Sequence, residues 1–389
     1  MATGTSKISP ISRAHLRPVK RSAVLQMARQ LRLFSRAQVV EYTGLSATTV
    51  THLVRELLDE GYLTEAGAGE SHGGRPQSML RFEAEAELVI VIDLHPGRIE
   101  AVLADWDSHP VTKPITRPIQ DLVEDLVRTV KELSVGRESR VKAVAVAVPG
   151  VASGSGGQVR LAPMIGLVDG QPLGDLLRER VDLPVVVDND VNLMVVGEHV
   201  AGAAQDLDDI LLVHVGEGGI GAAIMIDGKV RQGASGVAGE IGFLPLGSHA
   251  SPIDGIGQFE REWSAQGITQ KAVALQIPIG EGSIVRQLET RASTDSATGD
   301  LMTQVLTAWS QAITAVICAL DPGRVLLSGE AANIGKSSLK FMVDEVARCV
   351  PGATDIRIAA IGSGALLQGA VRRAFDAHDS YMYSSILTQ

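Results

Sequence analysis

Two polar stretches of the chain carry side chains suited to binding hydroxyl groups. The first, LPVVVDNDVN, runs from an apolar segment into Asp188, Asn189 and Asp190. The second, GASGVAGEIGF, is rich in glycine and ends on Glu240 beside Phe243. Carboxylate and amide oxygens accept hydrogen bonds, and a sugar hydroxyl both donates and accepts. Charged ends of strands that hold no ligand would explain either stretch alone, but the two together favour a polar-ligand cleft near 188–243.

A third stretch, VIVIDLHPGRIEAVLADWD at 89–107, reads as a strand, a six-residue turn and a second strand. A turn of this kind cradles phosphate only where glycines let backbone N–H groups approach closely. Here His95 and Pro96 stand in the middle of the turn, and proline has no N–H to donate. The sequence therefore predicts that this turn is a poor phosphate cradle.

Alternating strands and helices must position these residues after residue 87. Strand hairpins followed by crossover helices predict a mixed α/β fold of two lobes, with ligands bound beyond the carboxyl ends of strands. Strands are predicted at 88–93, 98–106, 141–148, 184–189, 209–216, 220–227 and 324–328, and helices near 119–134, 191–202, 257–267, 299–320 and 336–349.

Basic residues are concentrated at the start of an otherwise acidic chain with a net charge of −10. A basic segment on an acidic protein indicates a polyanionic partner, although a solvated tail is the plainer alternative. The basic residues up to position 40 are Lys7, Arg13, Arg17, Lys20, Arg21, Arg29, Arg32 and Arg36.

A helix-turn-helix is predicted within the first 61 residues. Helix one is expected over 19–33. Ser35 and Gln38 form a capping box that opens a short helix ending at Gly44. Ser46 is the expected N-cap of the next helix, whose apolar stripe is formed by Val50, Leu53, Val54, Leu57 and Leu58 and ends at Gly61.

The second helix of such a unit enters the DNA major groove with its amino-terminal residues against the base edges. Hydroxyls and arginine can bond phosphates or bases, and a threonine methyl can pack on thymine. A generic helical hairpin with a polar face is the alternative. The DNA-contacting residues predicted here are Ser46, Ala47, Thr48, Thr49, Thr51, His52, Arg55 and Arg36.

Residues 62–82 alternate around a glycine-rich tip, as a two-stranded wing does. Within it, HGGRP places Gly73 and Gly74 before Arg75, which Pro76 holds in an extended conformation. An arginine on such a segment can enter a narrow minor groove, so all three residues are predicted DNA contacts. A plain linker between domains is the alternative.

Composition restricts the class of protein further. No apolar run approaches the roughly 20 residues of a membrane span, so we expect a cytoplasmic protein without a membrane partner. The two cysteines, Cys318 and Cys349, fit no metal-ligand spacing and are predicted to be buried free thiols.

These motifs resemble those of the ROK family, which groups transcriptional repressors, open reading frames and sugar kinases. The most specific segments are NDVNLMVVGE and IDGKVRQGASGVAGEIGF, and the resemblance extends to the final GSGALLQGAVRRAF. It implies a winged helix-turn-helix followed by a two-lobed actin-like, ribonuclease H-like domain. The expected domains are a basic, disordered tail at 1–18, the winged helix with its GGRP linker at 19–82, and the ROK sugar-sensor domain at 87–389.

The resemblance also implies a set of sugar-binding residues. Family kinases bind a hexose through residues that correspond to Asn189, Asp190, Glu240, the position of Phe243, and Glu260 in GQFEREWSA. The aspartate at the position of Asp190 is the general base of those kinases. Without a phosphate donor it would be vestigial, so no catalytic residue is assigned.

Departures from the family pattern argue against a kinase. Phe243 replaces a histidine that contacts both sugar and zinc, and the loop LGSHASPIDGIGQ lacks the usual cysteines. Because a structural zinc needs about four ligands, His249 alone does not suffice, and we expect no metal and no cofactor. The turn DLHPGR retains only Asp93 and Gly97 of the phosphate-loop pattern, so it is not expected to position a triphosphate.

The sequence therefore favours a sugar-responsive transcriptional repressor. It would bind palindromic operator DNA as a homodimer or homotetramer and be released by a sugar or sugar phosphate. Two alternatives remain open: a DNA-binding regulator with a vestigial sugar pocket, and an active ROK hexose kinase.

Overall fold

The winged-helix region precedes two α/β lobes in the computed structural model of the chain. The structure describes residues 13–68, 78–153, 157–162, 165–166, 170–217, 219–245, 252, 255–352 and 354–388. Gly73, Gly74, Arg75 and His249 lie outside these residues, so the predictions made for them stay predictions.

The winged helix has its own apolar core and a three-stranded antiparallel sheet of order β1-β3-β2. Its elements are α1 (Arg13–Leu31), β1 (Leu33–Ser35), α2 (Arg36–Thr43), α3 (Ala47–Asp59), β2 (Leu63–Ala68) and β3 (Ser78–Phe82). The capping box of Ser35 and Gln38 is present, Gly44 ends α2 in the left-handed region at φ +66°, and Ser46 caps α3. These local predictions are confirmed.

The first helix begins earlier than the sequence indicated. It starts at Arg13, inside the segment predicted as a tail, and ends at Leu31 rather than residue 33. The prediction began after Pro18, which disfavours a helix interior. Arg17 of α1 forms an ion pair with Glu56 of α3, and Arg21 forms one with Glu60, the C-cap residue of α3, so these contacts hold the first part of α1.

The first lobe is a five-stranded sheet of order β11-β7-β4-β5-β6 beside a small sheet of order β10-β9-β8. Its elements are β4 (Leu88–His95), β5 (Arg98–Asp105), β6 (Ile115–Pro118), α4 (Leu122–Ser134), β7 (Val141–Val148), β8 (Val151–Ser153), β9 (Gln158–Leu161), β10 (Gln171–Pro172), α5 (Leu173–Val181), β11 (Val185–Asn189) and α6 (Asp190–Ala201). Strands β11, β7 and β4 are parallel, so their carboxyl ends lie at one edge.

The second lobe is a five-stranded sheet of order β14-β13-β12-β15-β16. Its elements are β12 (Ile210–Val215), β13 (Ile220–Ile226), β14 (Lys229–Val230), α7 (Gln258–Trp263), α8 (Ala265–Ala274), α9 (Ile284–Arg291), α10 (Ser296–Leu320), β15 (Arg324–Gly329), α11 (Lys336–Cys349) and β16 (Asp355–Ile358). The last helix, α12 (Gly364–Thr388), returns to the first lobe and packs on α6 and β7.

The predicted α/β pattern is confirmed, but among the described residues after 87 six strands (β6, β8, β9, β10, β14 and β16) were not predicted, and four features of the helices differ. The sequence prediction did not include α5, α9 or α12. The helix predicted near 257–267 is two helices, because Ser264 adopts an extended conformation and caps α8. Helix α12 matters for the site described below, because its Arg373 lies 3.4 Å from Asp188.

Two further features concern apolar sequence. The expectation that no apolar segment approaches the length of a membrane span is wrong for α10, which is long and apolar enough to span one, but 56% of its most apolar window is buried inside the protein. It lies in the core of the second lobe, which explains its composition. The burial predicted for the cysteines is wrong: Cys318 and Cys349 are both exposed, because each lies on the outward side of its helix.

Candidate functional site

The amino end of α6 positions the first group of predicted site residues. The side-chain oxygen of Asn189 caps the helix, accepting from the N–H groups of Val191 and Asn192 at 2.9 and 3.1 Å. Its Nδ2 donates to the Gly150 carbonyl at 3.0 Å. These three bonds leave one amide hydrogen of Asn189 for a ligand, so its capacity is smaller than the sequence implied.

The neighbouring Asp188 is structural rather than ligand-facing. Its side chain is buried, and its Oδ1 accepts from Asn192 Nδ2 and Gln232 Nε2, both at 3.0 Å. Its Oδ2 lies 3.4 Å from a guanidinium nitrogen of Arg373 on α12. Asp188 thus joins β11 to α6, to the second lobe and to α12.

Asp190 faces the cleft at the first position of α6. One of its oxygens accepts from the Val191 N–H at 2.8 Å. Burial, with repulsion from Asp93, raises the pKa of Asp190 to about 7. Burial, followed by repulsion from Glu100, likewise raises the pKa of Asp93 to about 7.

The second lobe contributes two more carboxyls to the same cleft. Burial, with repulsion from Asp190, raises the pKa of Glu240 to about 6. Burial, with repulsion from Glu240, raises the pKa of Glu260 to about 7 against a backbone hydrogen bond at Ile220. The structure therefore brings Asp190, Glu240 and Glu260 together, as the sequence predicted.

A glycine makes room for the Glu260 carboxyl. A Cβ on Gly242 would stand 2.6 Å from Glu260 Oε2 and 2.9 Å from the Ile220 carbonyl oxygen. Both separations are shorter than any side chain tolerates. The Gly-Glu-Ile-Gly turn thus supplies Glu240 and the space that Glu260 occupies.

Phe243 is half-buried and follows Glu240 by one turn of 3₁₀ helix. The residues do not fit the zinc of family kinases: among the described residues no group of three His, Cys, Asp or Glu side chains could hold a metal. The undescribed part of this loop adds only His249 and Asp254 as ligand types in the sequence. Phe243 is an apolar ring at the position where the family resemblance implies a zinc-binding histidine.

The hairpin between β4 and β5 is tighter than predicted. Its strands pair as far as His95 and Arg98, so the turn is Pro96 and Gly97 rather than six residues. Gly97 has φ +73°, which suits glycine. The sequence reading underestimated the strands because polar residues at a strand end resemble turn residues.

The same hairpin places Asp93 and His95 near Asp190, although neither was a predicted sugar-binding residue. His95 Nε2 lies 3.2 Å from Asp93 Oδ2 and 3.8 Å from Glu100 Oε2. Asp93 of β4 and Asp188 of β11 stand opposite the same residue of β7, on its two sides. Asp93 therefore lies near Asp190, which follows Asp188 by two residues. The sequence signal was the Asp at the end of β4, but only the parallel order of the strands connects it to Asp190.

A half-buried, neutral histidine, His214, lies on β12 just before the second glycine-rich turn. Burial lowers the pKa of His214 to about 4, and its Nδ1 lies 3.0 Å from Ser328 Oγ. Gly216 donates to the Gly219 carbonyl at 2.8 Å, and Gly218 between them lies outside the described residues. His214 joins β12 to β15 at the base of this turn.

Most of the predicted DNA-contacting residues at the start of α3 have exposed side chains. The exposed ones are Ser46, Ala47, Thr48, Thr51, His52 and Arg55, whereas Thr49 and Arg36 are half-buried. Some hydroxyls are used locally: Ser46 Oγ lies 2.9 Å from Thr49 Oγ1, and Thr51 Oγ1 donates to the Ala47 carbonyl. Arg36 on α2 lies 3.8 Å from Glu65 of β2.

Comparison with known proteins places this architecture in a family. Residues 89–374 match the ROK family model. The chain is 29% identical over 240 residues to the xylose repressor of Caldicellulosiruptor bescii, covering 59% of each. It is 25% identical over 334 residues to the DNA-binding transcriptional dual regulator NagC of Escherichia coli, covering 81% of each.

Solved structures show the same fold. A ROK family transcriptional regulator, described as a homologue of the E. coli Mlc protein, has a TM-score of 0.75 at 21% identity and covers 96% of this chain and 100% of its own. The ROK hexokinase of Thermus thermophilus has a TM-score of 0.62 at 24% identity and covers 75% of this chain and 99% of its own. The match to the xylose repressor spans less than two thirds of that repressor's length. Because the family model covers most of the chain, this protein is a member of the ROK family.

Proposed function

We propose that this protein is a sugar-responsive transcriptional repressor. The observation that carries the proposal is that one chain contains both a winged helix with an exposed polar helix α3 and a ROK domain with a cleft lined by carboxyl groups. The names of the relatives, xylose repressor and N-acetylglucosamine repressor, support it. The proposed domains are a winged helix that runs from the start of α1 at Arg13 to residue 82, and a ROK sugar-sensor domain at 87–389.

In the proposed sugar site, three carboxyls accept hydroxyl hydrogens. Asp190, Glu240 and Glu260 fill this role, while Asn189 donates its one remaining amide hydrogen. Phe243 covers an apolar face of the sugar ring. The cleft thus offers acceptors chiefly, which matches a ligand rich in hydroxyl groups.

The charge of the cleft favours an uncharged sugar or an amino sugar over a sugar phosphate. Among the described residues, the only basic groups that act on the four raised carboxyls are Arg98 and His95. Of these, Arg98 is already bound to Glu100 at 2.9 Å. A phosphate would enter a site with several carboxyls and little positive charge, which is unfavourable.

We infer that the chain is not a kinase. The turn between β4 and β5, which corresponds to the first phosphate-binding turn of the kinases, has only two residues, Pro96 and Gly97. Pro96 has no N–H to donate to a phosphate, and His95 lies against Asp93. Asp190, at the position of the kinase base, then has no phosphoryl donor to work with. Release of ADP from ATP and a panel of hexoses, abolished in Asp190→Ala, would instead establish the kinase alternative.

DNA binding is proposed for the outward surface of α2 and α3, with Arg75 and the neighbouring Gly73 and Gly74 as expected minor-groove contacts. Two copies would place two α3 helices on a palindromic operator. This arrangement calls for a homodimer or a homotetramer in the cytoplasm and uses no cofactor.

The test is a thermal-unfolding scan with uncharged sugars, amino sugars and their phosphates, using the protein, Asp190→Ala and a control, Asp300→Ala, an exposed carboxylate of α10. A ligand that binds only the folded state at 100 times its Kd stabilises it by about 2.7 kcal/mol. We expect one uncharged or amino sugar to raise the midpoint of the protein and of Asp300→Ala but not of Asp190→Ala. No shift with any sugar would favour the vestigial-pocket alternative.

DNA binding is tested by selecting duplexes from a random pool and measuring their affinity with and without that sugar. We expect a palindromic sequence whose affinity falls when the sugar is added. Selection of no sequence would contradict the repressor assignment even if a sugar binds.

A further inference from the structure

A buried arginine of the winged helix is bound by the ROK domain. Arg29 of α1 is 7% exposed. Its Nε donates to Glu87 at 2.8 Å, and its Nη1 donates to both carboxylate oxygens of Asp379 on α12 at 2.9 Å. The guanidinium carbon lies 4.5 Å from the centroid of the Trp106 ring and 5.9 Å from that of Phe375. We call these five residues the Arg29 clamp.

The Arg29 clamp differs from the other ion pairs of α1 in its burial. The side chains of Arg29 and Glu87 are 6% and 2% exposed, whereas Arg17, paired with Glu56 inside the winged helix, is 72% exposed. Removing one partner of a buried pair leaves the other charged without water or a counterion. A shift of α1 away from the ROK domain would break the hydrogen bonds of Arg29 to Glu87 and Asp379, so the clamp resists such a shift.

Two residues of the clamp, Phe375 and Asp379, lie on α12, a helix that packs on α6, and α6 begins at Asp190 of the proposed sugar site. Helix α12 packs tightly on α6: a Cβ on Gly197 would stand 2.0 Å from the Ala365 carbonyl oxygen, and one on Gly369 would stand 1.8 Å from that of Leu193. Glu198 of α6 accepts from the Ala360 N–H at 3.0 Å just before α12. Because α6 begins at Asp190, one helix connects the amino-terminal element of the cleft to Arg29.

We propose that Arg29 is the positioning residue that sets the direction of the recognition helix α3 relative to the ROK domain, and that α12 carries changes at α6 to it. In a dimer, this direction determines how far apart the two α3 helices stand, and hence which half-site spacing fits. That consequence rests on the proposed function, whereas the positioning itself does not.

The positioning is tested without DNA or sugar, by spin-label distances in the full chain. Cysteines introduced by Thr48→Cys on α3 and Lys131→Cys on α4 carry the labels, in a background in which the exposed Cys318 and Cys349 are replaced by serine. Labelled protein is diluted with unlabelled protein so that only distances within one chain are observed.

We expect a narrow distance distribution in the parent and in the control Arg17→Met, which removes an arginine and an exposed ion pair from the same helix. Arg29→Met should broaden it several-fold, and Arg29→Lys, which keeps the charge but loses the two-pronged geometry, should give an intermediate width. An unchanged width in Arg29→Met would overturn the proposal, as would equal broadening in Arg17→Met.

A second variant covers the case in which Arg29→Met does not fold. Arg29→Met combined with Glu87→Gln and Asp379→Asn removes every charge of the clamp, so no buried charge is left alone. Circular dichroism shows whether it folds. We expect a broad distribution from this triple variant too, and a parent-like width would refute the positioning role.

The link to the cleft uses the sugar found in the thermal scan. Arg29→Met should still show the full sugar-induced rise in midpoint, but the sugar should change its operator affinity less than two-fold. A parent-like sugar effect on DNA affinity in this variant would overturn the role of α12. If no sugar stabilises the parent, the proposed function fails while the distance experiment still decides the positioning.

Discussion

At the scale of single residues, the cleft is a group of carboxyls held partly protonated near neutral pH. Burial is the largest cause of the raised pKa of Asp190, Asp93 and Glu260, and repulsion among the carboxyls adds to it. Raised carboxyl pKa values accompany functional sites, because binding geometry is kept there at a cost to stability. The cleft is thus built to receive polar groups that relieve this cost.

The pKa of Asp190 predicts how stability depends on pH. The pKa of Asp190 is about 7 in the folded protein and about 3.9 in the unfolded chain. Between pH values of about 3.9 and about 7 the folded protein therefore keeps the proton on Asp190 while the unfolded chain has lost it. The free energy of unfolding falls as the pH rises through this range. Asp190→Asn removes this loss. We expect its gain in unfolding free energy to be larger at pH 8 than at pH 5 by about 1 to 3 kcal/mol.

Urea unfolding at the two pH values measures this gain, with Asp300→Asn as the control. Equal stabilisation by Asp190→Asn at both pH values would show that Asp190 is ionised normally. An equal response in Asp300→Asn would assign the effect to overall charge instead of the cleft.

Gly242 gives a second prediction for a single residue. Gly242→Ala introduces a Cβ 2.6 Å from Glu260 Oε2, so the carboxyl must leave its position. We expect a loss of about 1 to 3 kcal/mol in unfolding free energy and loss of the sugar-induced rise in midpoint. Gly352→Ala, whose Cβ meets nothing within 4 Å, should change neither, and retained sugar binding in Gly242→Ala would place Glu260 outside the site.

At the scale of elements, α3 is defined locally and presents its polar face outward. Ser46 caps its start, and Val50, Leu53, Val54 and Leu57 bury its other face. The side chain of Arg55 is exposed, and no acidic residue in the described part of the chain forms an ion pair with it. The helix is therefore ready to contact a polyanion without rearrangement.

Arg55→Ala should weaken operator binding while leaving thermal stability unchanged, since the side chain is exposed. A lost phosphate contact reduces the slope of log affinity against log salt by about 0.9, whereas a lost base contact leaves it nearly unchanged and relaxes one base position. Fluorescence anisotropy over a salt series measures both. Lys340→Ala, a 75% exposed lysine of α11, is the control, and a parent-like affinity in Arg55→Ala would remove α3 from the interface.

At the scale of the whole molecule, the winged helix and the ROK domain share a packed boundary. Trp106 at the end of β5 contacts Phe82 of the winged helix at 6.2 Å and Phe375 of α12 at 4.4 Å between ring centroids. Arg29 lies over the same ring. The two domains therefore have an apolar contact and a buried ion pair in common, rather than a linker alone.

This boundary predicts cooperative unfolding. Calorimetry of the parent should show the winged helix and the first lobe melting in one transition, because separating them exposes Trp106 and the charges of the Arg29 clamp. The triple variant Arg29→Met, Glu87→Gln, Asp379→Asn should show an additional transition at lower temperature. A separate low-temperature transition already present in the parent would contradict this coupling.

The sequence determined the features that depend on neighbours along the chain. The capping box at Ser35, the cap at Ser46 and the apolar stripe of α3 are set by residues within one or two helical turns, and all were predicted correctly. Seven of the thirteen strands described after residue 87 followed from apolar runs, and the pairing of Asn189–Asp190 with Glu240 followed from motif resemblance.

Tertiary structure alone decided the features that depend on distant residues. Asp93 lies near Asp190 because β4, β7 and β11 are parallel neighbours. The side-chain amide of Asn189 is hydrogen-bonded to Gly150 and to the first N–H groups of α6, which leaves one amide hydrogen for a ligand. Arg29 is buried because Asp379, 350 residues later, returns to it on α12. A basic residue among other basic residues carries no local sign of such a partner, since burial of a charge is a property of the packed chain and not of its neighbours in sequence.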